Sequence, residues 1–353
     1  MNKMFKSPGF AYALIAAFLF GAGAPASKWL LARTDPWFLA GMLYFGSGVG
    51  LSILILIRSA FKKRFASLSL AQKDLPWLAL ATLFGGIVAP VLLMYGLARI
   101  EAASASLFLN MEGVFTALMA WFVFREHFDR RILTGMVLII LGGLVLSGTT
   151  HPTSNNLAGP LLIIGACFSW AIDNNVTRKI SANDPLQITI VKSLVAGTTN
   201  LAIAMAFHFR FPQFPVVLMA SGLGFFSYGL SLSCFIMALR HIGTSRTGAF
   251  FSLAPFVGAW LSILFLHEPM TLRIALAGAF MGLGVWLHLT EKHSHEHSHE
   301  ALDHDHRHVH DEHHQHHHNP EDPPGEPHSH RHRHDSLTHA HAHYPDIHHR
   351  HAH

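Results

Sequence analysis

A lone carboxylate, Glu112, stands in the middle of an otherwise apolar run, 102–124, with Ser106, Asn110 and Gly113 around it. If that run is helical, Ser106 and Asn110 share a face at a spacing of four. A charge there costs about 2.5–3.5 kcal/mol on insertion scales, so it needs a reason. One reason is a protonatable group facing a cavity, exchanging a proton for a bound solute. The other is a static hydrogen-bond anchor between helices. A second polar group, Asp173-Asn174-Asn175, follows Trp170 near the end of another apolar run, and Lys192 lies early in the next. Counting depth from their shared side puts Asp173 and Lys192 level, which predicts an ion pair, serving either as a structural bridge or as a gate. Lys28, late in the first run, could carry its ammonium out to the interface or draw anions to a cavity mouth. Tyr44, Tyr95, Tyr228 and Trp170 could line an aromatic cavity or simply pack.

Histidine is the other residue with chemistry to offer. Of 30 His, 24 fall in residues 291–353. They alternate with acids and small residues in stretches such as HSHEHSHE and HDHRHVHDEHHQHHH. Neutral imidazole suits Zn, Ni, Co and Cu, and nearby carboxylates can complete a site. The candidate ligands are His293, His295, His297, His299, His304, His306, His308, His310, His313, His314, His316, His317 and His318. The segment has almost no apolar periodicity and several prolines, so a packed core is not expected and disorder is. Protonating all 24 His would swing it from −7 to +17, near the ordinary His pKa of about 6.5. That would favour an anionic membrane surface at low pH. The other six His, at 127, 151, 208, 241, 267 and 288, form no HxxxH or HxxxD pair within an apolar run, so no cofactor or metal is expected there.

The elements that must hold these residues show in the charge balance. Residues 1–290 carry 20 Lys+Arg and 9 Asp+Glu, a net of +11. So few charges could not keep a water-facing surface on a soluble enzyme. No Ser-His-Asp, P-loop or GxGxxG context appears, so an enzyme is not expected. The mean hydropathy of +0.32 is high although the last 63 residues are polar. Ten runs are long enough to span a bilayer as helices: 9–31, 36–58, 76–98, 102–124, 131–149, 158–177, 187–207, 214–238, 246–266 and 272–290. The first reads as a span and not a cleaved leader, because cleavage after Ala24 would leave Pro25 first. With the N-terminus inside, inner connections hold 14 Lys+Arg and outer ones 5. This asymmetry predicts cytoplasmic N- and C-termini. It also accounts for the pI of 9.2 without a nucleic-acid partner. Cys167 and Cys234 sit in apolar runs, with no disulfide framework.

A shift of 142 residues aligns the two halves. Phe124-Arg125-Glu126-His127 falls on Leu266-His267-Glu268-Pro269, and Arg131-Ile132 on Arg273-Ile274. Phe108, Ala117 and Gly142 fall on Phe250, Ala259 and Gly284. Five spans per half is odd, so the second half should cross the membrane inverted, as in many alternating-access transporters. Three units are expected: repeats at 9–149 and 158–290, and a His-rich cytoplasmic tail at 291–353.

The first half has Phe20-Gly21-Ala22 through Lys28, Ala102-Ala103-Ser104-Ala105-Ser106-Leu107, and Asn110-Met111-Glu112-Gly113-Val114-Phe115 leading to Glu126 and Gly135. The second half has Trp170-Ala171, Leu253-Ala254-Pro255-Phe256 and His267-Glu268-Pro269. On these residues the chain resembles the drug/metabolite transporter superfamily, in particular its EamA type. The resemblance implies an all-α membrane protein of ten helices in two EamA repeats that moves a small solute, often outward. The expected function is a secondary transporter, an exporter of a small organic metabolite, in a bacterial inner membrane, with a metal-binding tail. Its expected partners are the lipid bilayer, the solute and metal ions at the tail, and a homodimer is compatible with it. Two alternatives are a divalent-metal exporter fed by the tail and a membrane metal sensor without transport. The pathway residues expected are Glu112, Asn110, Ser106, Trp170, Asp173, Asn174, Lys192 and Lys28.

Overall fold

A computed structural model describes residues 8–62, 72–124, 130–148, 154–180 and 184–289, and four short strands after them. The chain divides into two units, Met1–Glu291 and Lys292–His353.

Among its described residues the first unit is helical throughout, as its continuous apolar runs require. Ten helical stretches are long and apolar enough to cross a membrane: Pro8–Leu31, Pro36–Ile57, Gln72–Leu97, Ala102–Val123, Arg130–Ser147, Leu157–Ile180, Pro185–Ala206, Phe214–Leu239, Arg246–Phe265 and Leu272–Leu289. In chain order these are spans one to ten. Phe122, Leu161 and Trp260 are 71%, 62% and 58% exposed. Such an apolar surface belongs against lipid and not against water.

Spans two and seven pack together, as do four and nine, and five and ten. Span three lies on six, and eight on one; four also meets six, and nine meets one; two meets eight, and seven meets three. Exchanging each span for the one five places along leaves this set of main pairings unchanged. Small residues permit the contacts. A Cβ on Gly46 would overlap the Ser221 carbonyl oxygen, and one on Gly224 would overlap that of Leu43, so spans two and eight touch backbone to backbone.

Several spans are interrupted. Span one changes helix at Ala22, span four at Leu109-Asn110 and span nine at Ser252-Leu253. Spans three and eight each contain a wide π-turn, Thr82–Val88 and Phe225–Leu230. The breaks in four and nine, and the two π-turns, recur at nearly the 142-residue offset read from the sequence. Pro255 opens the helical segment Ala254–Phe265 after its break, where a first turn tolerates proline because its N–H has no partner anyway. Pro25 is third in Gly23–Leu31, and Pro90 follows the π-turn of span three within continuous winding.

The described residues of the second unit form two antiparallel two-stranded ladders. β1 (Ser294–His299) pairs with β4 (Leu337–Ala342), and β2 (Leu302–His308) pairs with β3 (His328–His334). Isolated two-stranded pairings are marginal in water, in keeping with a segment that carries no apolar core. His293, His310, His313, His314, His316, His317 and His318 lie outside the described residues.

Candidate functional site

The near end of the bundle is the one where span one starts and span ten finishes; the far end is opposite. The break in span four leaves two helical segments, Ala102–Phe108 on the far side and Met111–Phe124 on the near side. Asn110 seals the break, its Nδ2 donating to the Leu107 carbonyl at 2.9 Å. Glu112 is in the first turn of the near segment, where the helix dipole favours a carboxylate. Its Oε1 accepts from Asn174 Nδ2 at 2.8 Å, and the same amide lies 3.4 Å from Thr116 Oγ1. Asn175 Nδ2 donates to the carbonyls of Ala171 and Thr116 at 2.9 and 3.3 Å, tying span six to span four. Glu112 is half-buried and Asn174 exposed, and a Cβ added to Gly113 would meet nothing within 4 Å. The carboxylate is thus partly accessible, with one oxygen held by an amide.

One residue earlier on span six, Asp173 pairs with Lys192 of span seven. Both side chains are largely buried, and Thr177 Oγ1 donates to Asp173 Oδ1 at 2.9 Å. The ion pair expected from depth counting is thus formed. It lies against the π-turn of span three: a Cβ on Gly85 would overlap Asp173 Oδ2.

In that π-turn a proline leaves one carbonyl without a backbone donor. Pro90 has no N–H to offer Gly85, five residues before it, and the Ala89 N–H is taken by the Phe84 carbonyl. Side chains satisfy the freed carbonyls instead. Tyr44 Oη and Trp170 Nε1 donate to the Gly85 oxygen at 2.7 and 3.0 Å, and Asn200 Nδ2 to that of Gly86 at 3.2 Å. π-turns of this sort often accompany functional sites. Tyr44 stacks at 5.4 Å on Tyr228, which belongs to the π-turn of span eight, and Tyr228 meets Phe20 at 5.9 Å. An aromatic series thus crosses from one half to the other.

The expected residues do not all assemble here. Glu112, Asn174, Asp173, Lys192 and Trp170 form a connected group across spans three, four, six and seven. Ser106 is instead buried in the contact between spans four and nine, where a Cβ on Gly258 would come 2.7 Å from its Oγ. Asn110 is 7% exposed; its Nδ2 bonds within its own span and lies 3.9 Å from the Met281 sulfur of span ten. The two residues flank the break in span four, with Ser106 against span nine and Asn110 against span ten. Lys28 is at the far end. Its Nζ donates to the carbonyls of Leu97 and Ile100 at 2.6 and 2.9 Å, so it is held by backbone at the turn that follows span three.

Glu268 carries a role that its sequence position did not reveal. Both its oxygens accept from the start of span four, from the N–H groups of Ala102 and Ala103, each at 2.7 Å. Lys28 and Glu268 therefore grip the turn at residues 98–101 from both sides, one through helix-end carbonyls and one through helix-start amides. The hints were its alignment with Glu126 and its place in His267-Glu268-Pro269. Elsewhere, an apolar groove of about 470 Å³ lies between the far halves of spans one and nine, lined by Phe18, Pro25, Trp29, Leu261 and Phe265. It holds none of the polar groups above.

A model of the EamA-like transporter family matches the chain twice, over residues 7–148 and 157–290. An uncharacterized transporter of Methanothermobacter thermautotrophicus is 29% identical over 293 residues, covering 79% of this chain and 85% of that one. A probable amino-acid metabolite efflux pump of Salmonella typhimurium is 35% identical over 103 residues, covering 29% of this chain and 34% of that one. A solved crystal structure matches 80% of this chain and 96% of its own, with a TM-score of 0.59 at 17% identity, which shows a shared fold. With ten apolar spans and both halves matched, this multi-pass membrane protein belongs to the EamA-like transporter family.

Proposed function

We propose that this protein is a secondary transporter that exports a small organic solute by alternating access between two inverted halves. One observation carries the reading: spans four and nine are both broken mid-way, and their packing is concentrated in their far segments, while a half-buried carboxylate, Glu112, opens the near segment of span four and is held by Asn174 of span six. Broken helices meeting near the bilayer midplane are where transporters of this design hold their cargo. The near end is cytoplasmic in this reading, supported by the 14-to-5 bias of Lys+Arg, and the membrane is a bacterial inner membrane. Lys28 and Glu268 then latch the outer side. Glu112 binds either a proton or the solute. A carboxylate paired with an amide suits a solute carrying both a cationic group and a hydrogen-bonding group, in line with the efflux activity in the Salmonella relative's name.

Solid-supported-membrane recordings on proteoliposomes test this. Pools of amino acids, amines and other small metabolites are applied, with Zn²⁺, Ni²⁺ and Co²⁺ as a separate pool. A current evoked by an organic pool and lost in Glu112→Gln supports the reading. A current with metal ions alone would instead make the protein a metal transporter. No response to any pool, or an organic response unchanged in Glu112→Gln, overturns it.

A further inference from the structure

The apolar groove between the far halves of spans one and nine opens on the outside of the bundle, since Phe18, Trp29 and Phe265 in its lining are all exposed. On span one the lining falls at Phe18, Ala22, Pro25, Ala26 and Trp29, one face at helical spacing. Small residues lie between two rings, so the groove runs along the helix. Eleven residues at about 1.5 Å each make it about 16 Å long. That is the depth of one leaflet of a hydrocarbon core about 30 Å thick. A volume of about 470 Å³ spread over that length leaves a cross-section of about 30 Å². A helix, about 10 Å across, is too wide for it. A single hydrocarbon chain, with carbon contacts at about 3.5–4.0 Å on each side, is not.

The outer end of the groove carries a cation. The Arg33 guanidinium lies over the Trp29 ring, 3.8 Å from its centroid, and Arg33 Nη1 donates to the Trp29 carbonyl at 3.2 Å. One turn beyond the last apolar residue is headgroup depth, where tryptophan and arginine side chains settle. Stacking holds the guanidinium in place, and one hydrogen bond leaves most of its five N–H donors to spare. Arg33 is exposed, and among the described residues no carboxylate pairs with it. Asp35 instead accepts from the Trp37 N–H, and Lys28 is committed to two carbonyls. The fork of donors matches a phosphate. Between the acyl chains no water fills a groove, and an empty one forfeits the contacts of its lining. A lipid whose phosphate rests on Arg33 has a chain of the right depth to supply them.

We propose that this groove is a binding site for one phospholipid of the leaflet at the far end. One acyl chain lies along span one from Trp29 to Phe18, and the Arg33 guanidinium holds the phosphate diester. The site is separate from the Glu112 group and independent of what the protein transports.

The test uses the full-length protein in detergent micelles, titrated with dioleoyl phosphatidylglycerol and, separately, with dioleoylglycerol, which has the same chains and no phosphate. Native mass spectrometry counts the bound lipids and gives the dissociation constant of the first. Arg33→Gln removes the cation, and Ala26→Phe fills the groove with a ring. As controls, Arg210→Gln removes another exposed far-end cation and Ala275→Phe adds a ring to the exposed surface of span ten. Gel filtration checks that each variant stays dispersed; should Ala26→Phe fail this, Arg33→Gln decides, because its side chain is exposed. The expected result is that each groove variant weakens the first phosphatidylglycerol site at least fivefold (on the order of 1 kcal/mol), and each control by less than twofold. Arg33→Gln should leave dioleoylglycerol binding unchanged, whereas Ala26→Phe should weaken it too. Native affinity for phosphatidylglycerol in Arg33→Gln or in a dispersed Ala26→Phe would overturn the proposal. So would equal losses in the controls, equal affinity of the native protein for the two lipids, or no lipid bound. A native dimer that Ala26→Phe dissociates would give the groove to a second copy and overturn it as well.

Discussion

The Asp173–Lys192 pair permits a sharp energetic test. Lys192→Met keeps the bulk of the side chain and removes its charge. Asp173, only 8% exposed at its side chain, would then keep the Thr177 hydroxyl as its hydrogen-bond donor. It has nowhere to turn, because the notch above Gly85 is already filled by the carboxylate. At about 3 Å and an effective dielectric of about 20, the lost attraction is about 5 kcal/mol. Breaking one side of a buried pair typically costs about 3–5 kcal/mol, whereas replacing both partners by uncharged groups is often nearly neutral. At about 2 °C per kcal/mol for a helical unit of this size, Lys192→Met should lower the melting temperature in detergent by about 6–10 °C. Asp173→Asn combined with Lys192→Met should recover more than half of that loss. Fluorescence-detected size exclusion after heating reads the difference directly. A double variant as damaged as Lys192→Met, or more so, would show that the two charges are not energetically coupled and would refute the reasoning.

Three more outcomes rest on the same geometry. Glu268→Gln removes the charge from two helix-start hydrogen bonds, worth about 1–2 kcal/mol. A cysteine replacing the buried Ala105, in a background without native cysteines, should then react several-fold faster with a membrane-impermeant thiol reagent; an unchanged rate would deny Glu268 its latching role. Gly85→Ala should cost about 1–3 kcal/mol by overpacking against Asp173, while Gly113→Ala, with open space around it, should be neutral or mildly stabilising; equal melting temperatures for the two would contradict the packing described. Tyr44→Phe and Trp170→Phe each leave the Gly85 carbonyl one donor, but the double variant leaves it none, so denaturant titration should show a loss about 1–3 kcal/mol beyond the sum of the singles; simple additivity would mean that the carbonyl finds another partner.

The ten spans are legible in the sequence because lipid imposes a length and a polarity that any chain crossing it must display. The largest boundary difference, span three starting at Gln72 and not 76, falls on a polar lead-in that hydropathy cannot distinguish from a loop. Asp173 and Lys192 can be paired from sequence because depth in a membrane is countable. The breaks and π-turns cannot, because hydropathy is blind to helix winding; Gly85-Gly86 shortly before Pro90 is the available signal. The place of Lys28 is hidden because its partners are carbonyls, which no sequence singles out. Ser106 and Asn110 flank a helix break, and which neighbours they meet is decided by packing between distant segments.

The π-turns also bear on how this chain tolerates change in length. Each holds one residue more than an α-helix would use over the same rise, and one residue corresponds to about 100° around the axis. Deleting a single residue from 82–88 would twist everything up to Leu97 by that angle. Met94 and Leu97, both 0% exposed, would swing out toward the acyl chains. A one-residue gap between homologous helices at this point is therefore a change of facing and not merely of length, and grafting this span onto a relative with an unwidened turn would transplant the right residues onto the wrong side.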